Sequence, residues 1–270
     1  EGVRTLEEKT SALQQVIYDQ RELLRRYVGA DVPQMFMPYK EVLEIMENGL
    51  DVPEDVTIVW CDDNYGYMTR LSSAQQQTRR GGAGVYYHLS YAGRPHDCLW
   101  LSSTQPGLIY HEMQQAYDHN VRKLWIANVH DPKVAAYDLE LFLDMAWNIR
   151  SVGPQSVNAH LEKWLCREFG EATGTLLAPA MSEYYRLASM RRPEFMGWSQ
   201  VELPDRERHP DGLSAASDTE FSFNEFGDEA QRYIDGLRKV SAHVLEAKKH
   251  VPQRSLDAYF AAVEYPVNVT

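Results

Sequence analysis

Cysteine is scarce in this chain. Cys61, Cys98 and Cys166 are widely spaced and form no CxxC pair. That excludes a disulfide framework and a thiolate metal knuckle, and leaves buried thiols as the expectation. No apolar run approaches the ~20 residues of a membrane span. There is no signal-peptide pattern and no initiator Met; the chain opens mid-pattern at Glu1 and reads as a piece of a longer protein. Positive charge is also in deficit. Lys and Arg number 27 against 39 Asp and Glu, a net charge of −12. That balance argues against nucleic acid, which needs a basic face, but leaves an acidic sugar open, since one local Arg can serve it. Several reactive motifs are missing too. Gly81-Gly82-Ala83-Gly84 lacks the Lys-Ser/Thr of a phosphate loop and precedes a strand rather than a helix. His111-Glu112 opens like HExxH, but Gln115 occupies the second His position, and no Ser sits in a GxSxG elbow.

What is present suffices for a folded core. The chain has 270 residues with 44% hydrophobic content, enough for one large domain or two ordinary ones. Its most informative stretch is 56–97. Val56 to Trp60 is a β-branched and aromatic run that reads as a buried strand, and it stops at Asp62, Asp63 and Asn64. Val85 to Tyr91 reads as a second strand, running into Gly93, Arg94, Pro95, His96 and Asp97. Lys123 to Asn128 is a third, followed at once by His130 and Asp131. In parallel α/β folds the reactive groups sit where strands end and loops begin. Three successive strands with polar endings therefore point to a site at one rim.

Around these strands the pattern alternates. An amphipathic helix ends near Gly29, Pro33 to Tyr39 reads as a short strand, and Lys40 to Asn48 as a helix stopped by Gly49. Helices are expected over Pro106 to Asn120 and Val134 to Trp147. About four strands with crossovers look like the second half of a (β/α)₈ barrel, with a small open α/β sheet as the alternative. Beyond Trp147 no strand signal appears. Val157 to Phe169, Leu176 to Met190, Glu229 to His250 and Ser255 to Glu264 read as helices, and Pro193 to Ser217 as an irregular connection. The fold class expected is thus α/β, half a TIM barrel over 1–150, followed by an all-α helical bundle over 151–270.

Each candidate has a plain structural alternative. Asp62-Asp63-Asn64 is also good turn chemistry, because these side chains bond nearby backbone. Adjacent residues alternate sides of a strand, so at most one of the two Asp is expected to face a barrel axis. Arg94, suited to carboxylate recognition, could instead brace Asp97. A metal site from His88, His96, Asp63 and Asp131 would suit a metal-dependent barrel hydrolase.

The blocks VTIVWCDDNYGYMTRL, GGAGVYYHLSYAGRPHDCLWL and LWIANVHD resemble, in order and spacing, the signatures of glycoside hydrolase family 115, the xylan α-1,2-glucuronidases. FLDMAWN, HLEKWLCREFG and AAVEYPV extend the resemblance over nearly the whole chain. One departure is visible: His130 stands where the family often carries Gly in Asn-Val-Gly-Asp.

The resemblance implies an exo-acting, multidomain enzyme. It would remove glucuronic acid, or its 4-O-methyl form, from xylan side chains with inversion and without a cofactor or catalytic metal. Its partners would be glucuronoxylan or glucuronoxylo-oligosaccharides, not nucleic acid or membrane, with a homodimer formed through helical or absent regions. The full-length protein would be secreted or periplasmic, and this chain by itself inactive. Under this reading Asp63 is the catalytic carboxylate, with Asp62 as fallback. Arg94, His88 and Tyr91 hold the uronate and Asn128 a sugar hydroxyl. Tyr65 stacks on a ring, and Asn64, His96, Asp97 and His130 complete the substrate site. The alternative is a non-catalytic carbohydrate-binding fragment.

Overall fold

The computed structural model describes residues 5–92, 98–195 and 221–270. It is a mixed α/β chain with a parallel sheet followed by helices. The elements segregate into two compact units, Glu1–Tyr87 with Gln114–Ile126, and His88–Met113 with Ala127–Thr270.

The first unit starts with α1 (Leu6–Tyr27). Thr5 and Glu8 close a reciprocal capping box there, which satisfies two amides that no helical carbonyl reaches. Next come β1 (Met35–Phe36), α2 (Glu41–Glu47), β2 (Thr57–Cys61) and β3 (Ala83–His88). Only two residues of the expected 33–39 strand take part in the sheet. β1 pairs with β2 and β2 with β3, both parallel, with Met35 opposite Thr57 and Cys61 opposite Tyr86. Ile58, Val59, Trp60 and Cys61 are all buried, as a strand covered on both faces requires. The sheet order is β1-β2-β3-β6, where β6 spans Val121–Asn128 after α3 (Pro106–Asp118). Gly84 permits the last pairing, since a Cβ there would lie 2.6 Å from the Leu124 carbonyl oxygen. Among the described residues the sheet has four strands, half the number an eight-stranded barrel needs.

The expected strand 85–91 is shorter than its composition suggests. β3 stops at His88, because the Leu89 and Ser90 amides both donate to the Asn128 carbonyl, at 2.9 and 3.2 Å. Tyr91 belongs instead to β4 (Tyr91–Ala92), antiparallel to β5 (Cys98–Leu99).

The second unit carries α4 (Ala136–Trp147), α5 (Val157–Phe169), α6 (Glu171–Met190) and α7 (Glu229–Lys248). α6 begins five residues before the expected Leu176 and continues through Pro179. The terminal helix is not uniform: α8 (Leu256–Tyr259) passes through a π-helical turn, Phe260–Glu264, into α9 (Tyr265–Val269). One core joins these helices around Trp164, Phe169, Tyr184, Tyr233 and Tyr259. Its rings meet edge-on, as Phe169 does with Tyr259 at 5.2 Å between centroids. No described helix is long and apolar enough to cross a membrane.

Candidate functional site

The end of β2 builds the site's acidic edge. Past Cys61 the chain makes a tight reversal, with Asp62 bridged to Met68 and the Asp63 amide bonded to the Tyr67 carbonyl at 2.9 Å. Asn64 and Gly66 take the positive φ values, 76° and 99°, that the reversal demands. Both carboxylates serve the turn. Oδ2 of Asp62 accepts the Gly66 amide at 2.9 Å. Oδ1 of Asp63 accepts the amides of Tyr65 at 2.9 Å and Tyr67 at 3.1 Å. The turn chemistry anticipated for these residues is therefore real, yet it uses only one oxygen of Asp63. Its Oδ2 accepts no hydrogen bond from any described residue.

A cavity of about 210 Å³ opens at this turn. Asp62, Asp63 and Asn64 all line it. Both Asp lie past the end of β2 at Cys61, where strand alternation no longer sets their directions. Behind the acids, Trp60 donates its indole N–H to Ser72 Oγ at 2.8 Å, and the Arg70 guanidinium lies 5.1 Å from the Trp60 ring centroid. Arg70 also faces Glu47 at 3.4 Å and donates to the Leu71 carbonyl at 2.6 Å. Cys61 lies on the same wall. Burial, reinforced by the neighbouring Asp62 carboxylate, pushes its thiol up to about 12, so it stays protonated and is no nucleophile. Cys61 is buried as expected, whereas Cys166 is only half-buried, its thiol near the Glu171 carbonyl at 3.5 Å.

Tyr39, Lys40, Thr69 and Arg70 of the wall were not anticipated as site residues. Tyr39 donates its hydroxyl to Oδ1 of Asn64. The strand-end rule that singled out Asp62 applies equally to Tyr39-Lys40, which follow β1. The brevity of β1 hides that signal in the sequence.

The remaining candidates belong to the second unit. His88 is buried, and its ring meets Tyr91 edge-on at 5.5 Å. Asn128 is half-buried and offers its carbonyl to the two amides that end β3. His130 is exposed. Arg94, His96 and Asp97 lie outside the described residues, as does the side chain of Cys98.

Two further polar groups occur in that unit. Ser102 donates to Asp138 at 2.9 Å and meets the Tyr185 hydroxyl at 2.9 Å. Ser103 and the Leu101 amide hold Glu194 at 3.0 and 3.1 Å. This knot ties the segment after β5 to α4 and to the turn after α6. The other group is Glu140, Asp144 and His160, whose ligand atoms lie within 4.8 Å of one another. Arg167 grips both Glu140 oxygens at 2.7 and 2.6 Å, and His160 Nε2 stands 2.9 Å from Asp144. Both Glu140 oxygens, Asp144 Oδ2 and His160 Nε2 are thus engaged with protein, while His160 Nδ1 is buried with no hydrogen-bond partner among the described residues.

The family model of Glycosyl hydrolase family 115 matches residues 2–195. The chain belongs to glycosyl hydrolase family 115. Every candidate named above, from Asp62 to His130, falls inside the match to this family. A solved family 115 structure is similar over the whole chain. That protein is described as a GH115 4-O-methyl-α-glucuronidase with specificity for decorated arabinogalactans. The identity is 46%, the TM-score 0.87, and the alignment covers 99% of this chain and 34% of that one. This family 115 chain therefore spans about a third of that enzyme's length. No curated protein matches it.

Proposed function

We propose that the protein containing this chain is an α-glucuronidase that removes glucuronic acid, or 4-O-methylglucuronic acid, from a plant polysaccharide side chain. Family 115 membership carries this reading, together with a strand-end pocket lined by two carboxylates. Residues 1–150 supply half of a catalytic barrel and residues 151–270 a helical bundle.

Hydrolysis with inversion needs an acid and a base about 6.5–9.5 Å apart, with water between base and sugar. Asp63 takes one of these roles, since its Oδ2 is left over by the turn that holds the carboxylate in place. Asp62 is the alternative. The partner carboxylate is assigned to the rest of the protein. Arg94, His88 and Tyr91 are assigned to the uronate, Asn128 to a sugar hydroxyl, and His96, Asp97 and His130 to the rest of the substrate site. Tyr65 and Asn64 flank the acids.

The linkage is α-1,2 and the substrate glucuronoxylan in the primary reading. The second reading, a decorated arabinogalactan, is favoured by the 46% identity to an enzyme of that specificity. The full-length protein, given aldouronic acids and glucuronidated arabinogalactan oligosaccharides in parallel, should release glucuronic acid from one set preferentially. Proton NMR of the first product should show the β-anomer; initial release of the α-anomer would mean retention and a different pairing of carboxylates.

A further inference from the structure

Four consecutive residues after β5 are each held by a polar group from the helical region. The Leu101 amide donates to Oε1 of Glu194 at 3.1 Å. Ser102 donates to Oδ2 of Asp138 at 2.9 Å and meets the Tyr185 hydroxyl at 2.9 Å. Ser103 Oγ stands 3.0 Å from both Glu194 oxygens. Thr104 Oγ1 accepts from Arg192 at 3.3 Å. All four residues are buried, and none lies in a helix or strand.

Stability alone does not explain two acids here. A desolvated carboxyl is costly, and apolar residues of the same shape often fill such a place at no loss. Burial raises both carboxyls above their ordinary range, the mark of that cost. Oδ1 of Asp138 has no hydrogen-bond partner among the described residues. What the network supplies is direction. Apolar contacts let an irregular segment slide, whereas fixed donors and acceptors admit one placement.

The segment so fixed continues directly from the ribbon that carries Tyr91. Leu99 of β5 pairs with Tyr91 of β4, and the Tyr91 ring meets His88 at 5.5 Å. Each strand of this ribbon is two residues long, too short to hold its own position. We propose that Glu194 and Asp138 are positioning residues for substrate binding, acting through Tyr91. They fix residues 101–104, which fix β5, which sets the place of β4. The helical region thereby serves the substrate site and does more than pack beside it. This assignment rests on the glucuronidase reading above.

The test uses the full-length enzyme on a glucuronidated oligosaccharide, with kcat and KM measured separately. Glu194→Ala and Ser102→Ala should each raise KM about 10- to 100-fold, the usual effect of a displaced binding group, and change kcat less. Glu194→Gln keeps an acceptor for Leu101 and Ser103, and Asp138→Asn keeps one for Ser102, so both should hold KM near wild type. In a Tyr91→Phe background the Glu194→Ala effect on KM should shrink, because the two act in series. Where Glu194→Ala does not fold, Ser103→Ala carries the same test, since it leaves the Leu101 bond to Glu194 in place. Folded alanine variants that lose kcat but keep the wild-type KM overturn the assignment alone, and so does an undiminished effect in the Tyr91→Phe background. A wild-type enzyme that releases no glucuronic acid overturns the glucuronidase reading and this assignment together.

Discussion

Ser102 donates its hydroxyl to Oδ2 of Asp138 at 2.9 Å, and Asp138 has no solvent exposure. Its other oxygen, Oδ1, has no hydrogen-bond partner among the described residues. Burial dominates here, raising the carboxyl to about 7 against the opposing pull of Ser102, Arg192 and Tyr185.

The pH dependence of stability follows with a definite sign. Between the ordinary carboxyl range and pH 7 the folded state holds a proton that the unfolded chain has released. The stabilisation is full below about pH 4 and lost as pH rises through about 7, a change of roughly 1–3 kcal/mol between pH 5 and 8. Asp138→Asn should flatten the Tm-versus-pH curve across that window and melt no lower than wild type at pH 8. Glu194, raised in the same direction by burial, leaves a residual slope that Glu194→Gln should remove. An unchanged curve in Asp138→Asn would show that Asp138 does not titrate there.

Asp63 separates turn from chemistry. Asparagine keeps an Oδ1 acceptor for the Tyr65 and Tyr67 amides, whereas alanine removes it. In the full-length enzyme, Asp63→Asn should keep the wild-type Tm while turnover falls about 10²–10⁴-fold. Asp63→Ala should lose both stability and turnover. Wild-type kcat in Asp63→Asn would assign Asp63 to the turn alone and pass the catalytic role to Asp62.

Ser72 accepts the buried Trp60 indole N–H, and its own side chain is buried. Ser72→Ala leaves that donor unsatisfied at a cost of about 1–3 kcal/mol. Chemical denaturation should show a lower midpoint with an unchanged m-value.

At Gly174 an added Cβ would fall onto the backbone of Cys166, where α5 and α6 cross. Gly174→Ala should therefore destabilise by about 1–3 kcal/mol despite alanine's better helix propensity. Wild-type stability in thermal melts would mean that the crossing relaxes freely.

Much of this protein is legible in its residues alone. The β-branched run at Val56–Trp60 had to be a buried strand. Asp62-Asp63-Asn64 and Gly66 behind it had to reverse the chain, because both are local decisions written in neighbouring residues. The helices α4, α5 and α7 followed from periodicity, with ends displaced by a residue or two where caps were weak. The signature blocks likewise resembled family 115, and the chain belongs to it.

Other features required the chain to close on itself. Nothing around Tyr39-Lys40 in the sequence says that the end of a two-residue strand meets Asn64, which lies 25 positions away. Asp138 reads in YDLELFLDMAW as an ordinary helix charge; its burial depends on Ser102, 36 residues before it, and Ser102 in turn meets Tyr185, 83 residues on. Both Asp62 and Asp63 face one pocket only because β2 ends one residue before them. Local pattern sets which residues extend, coil or turn, since those energies act between near neighbours. Which polar groups lose their water, and which distant partner replaces it, is decided only when the packed structure excludes solvent.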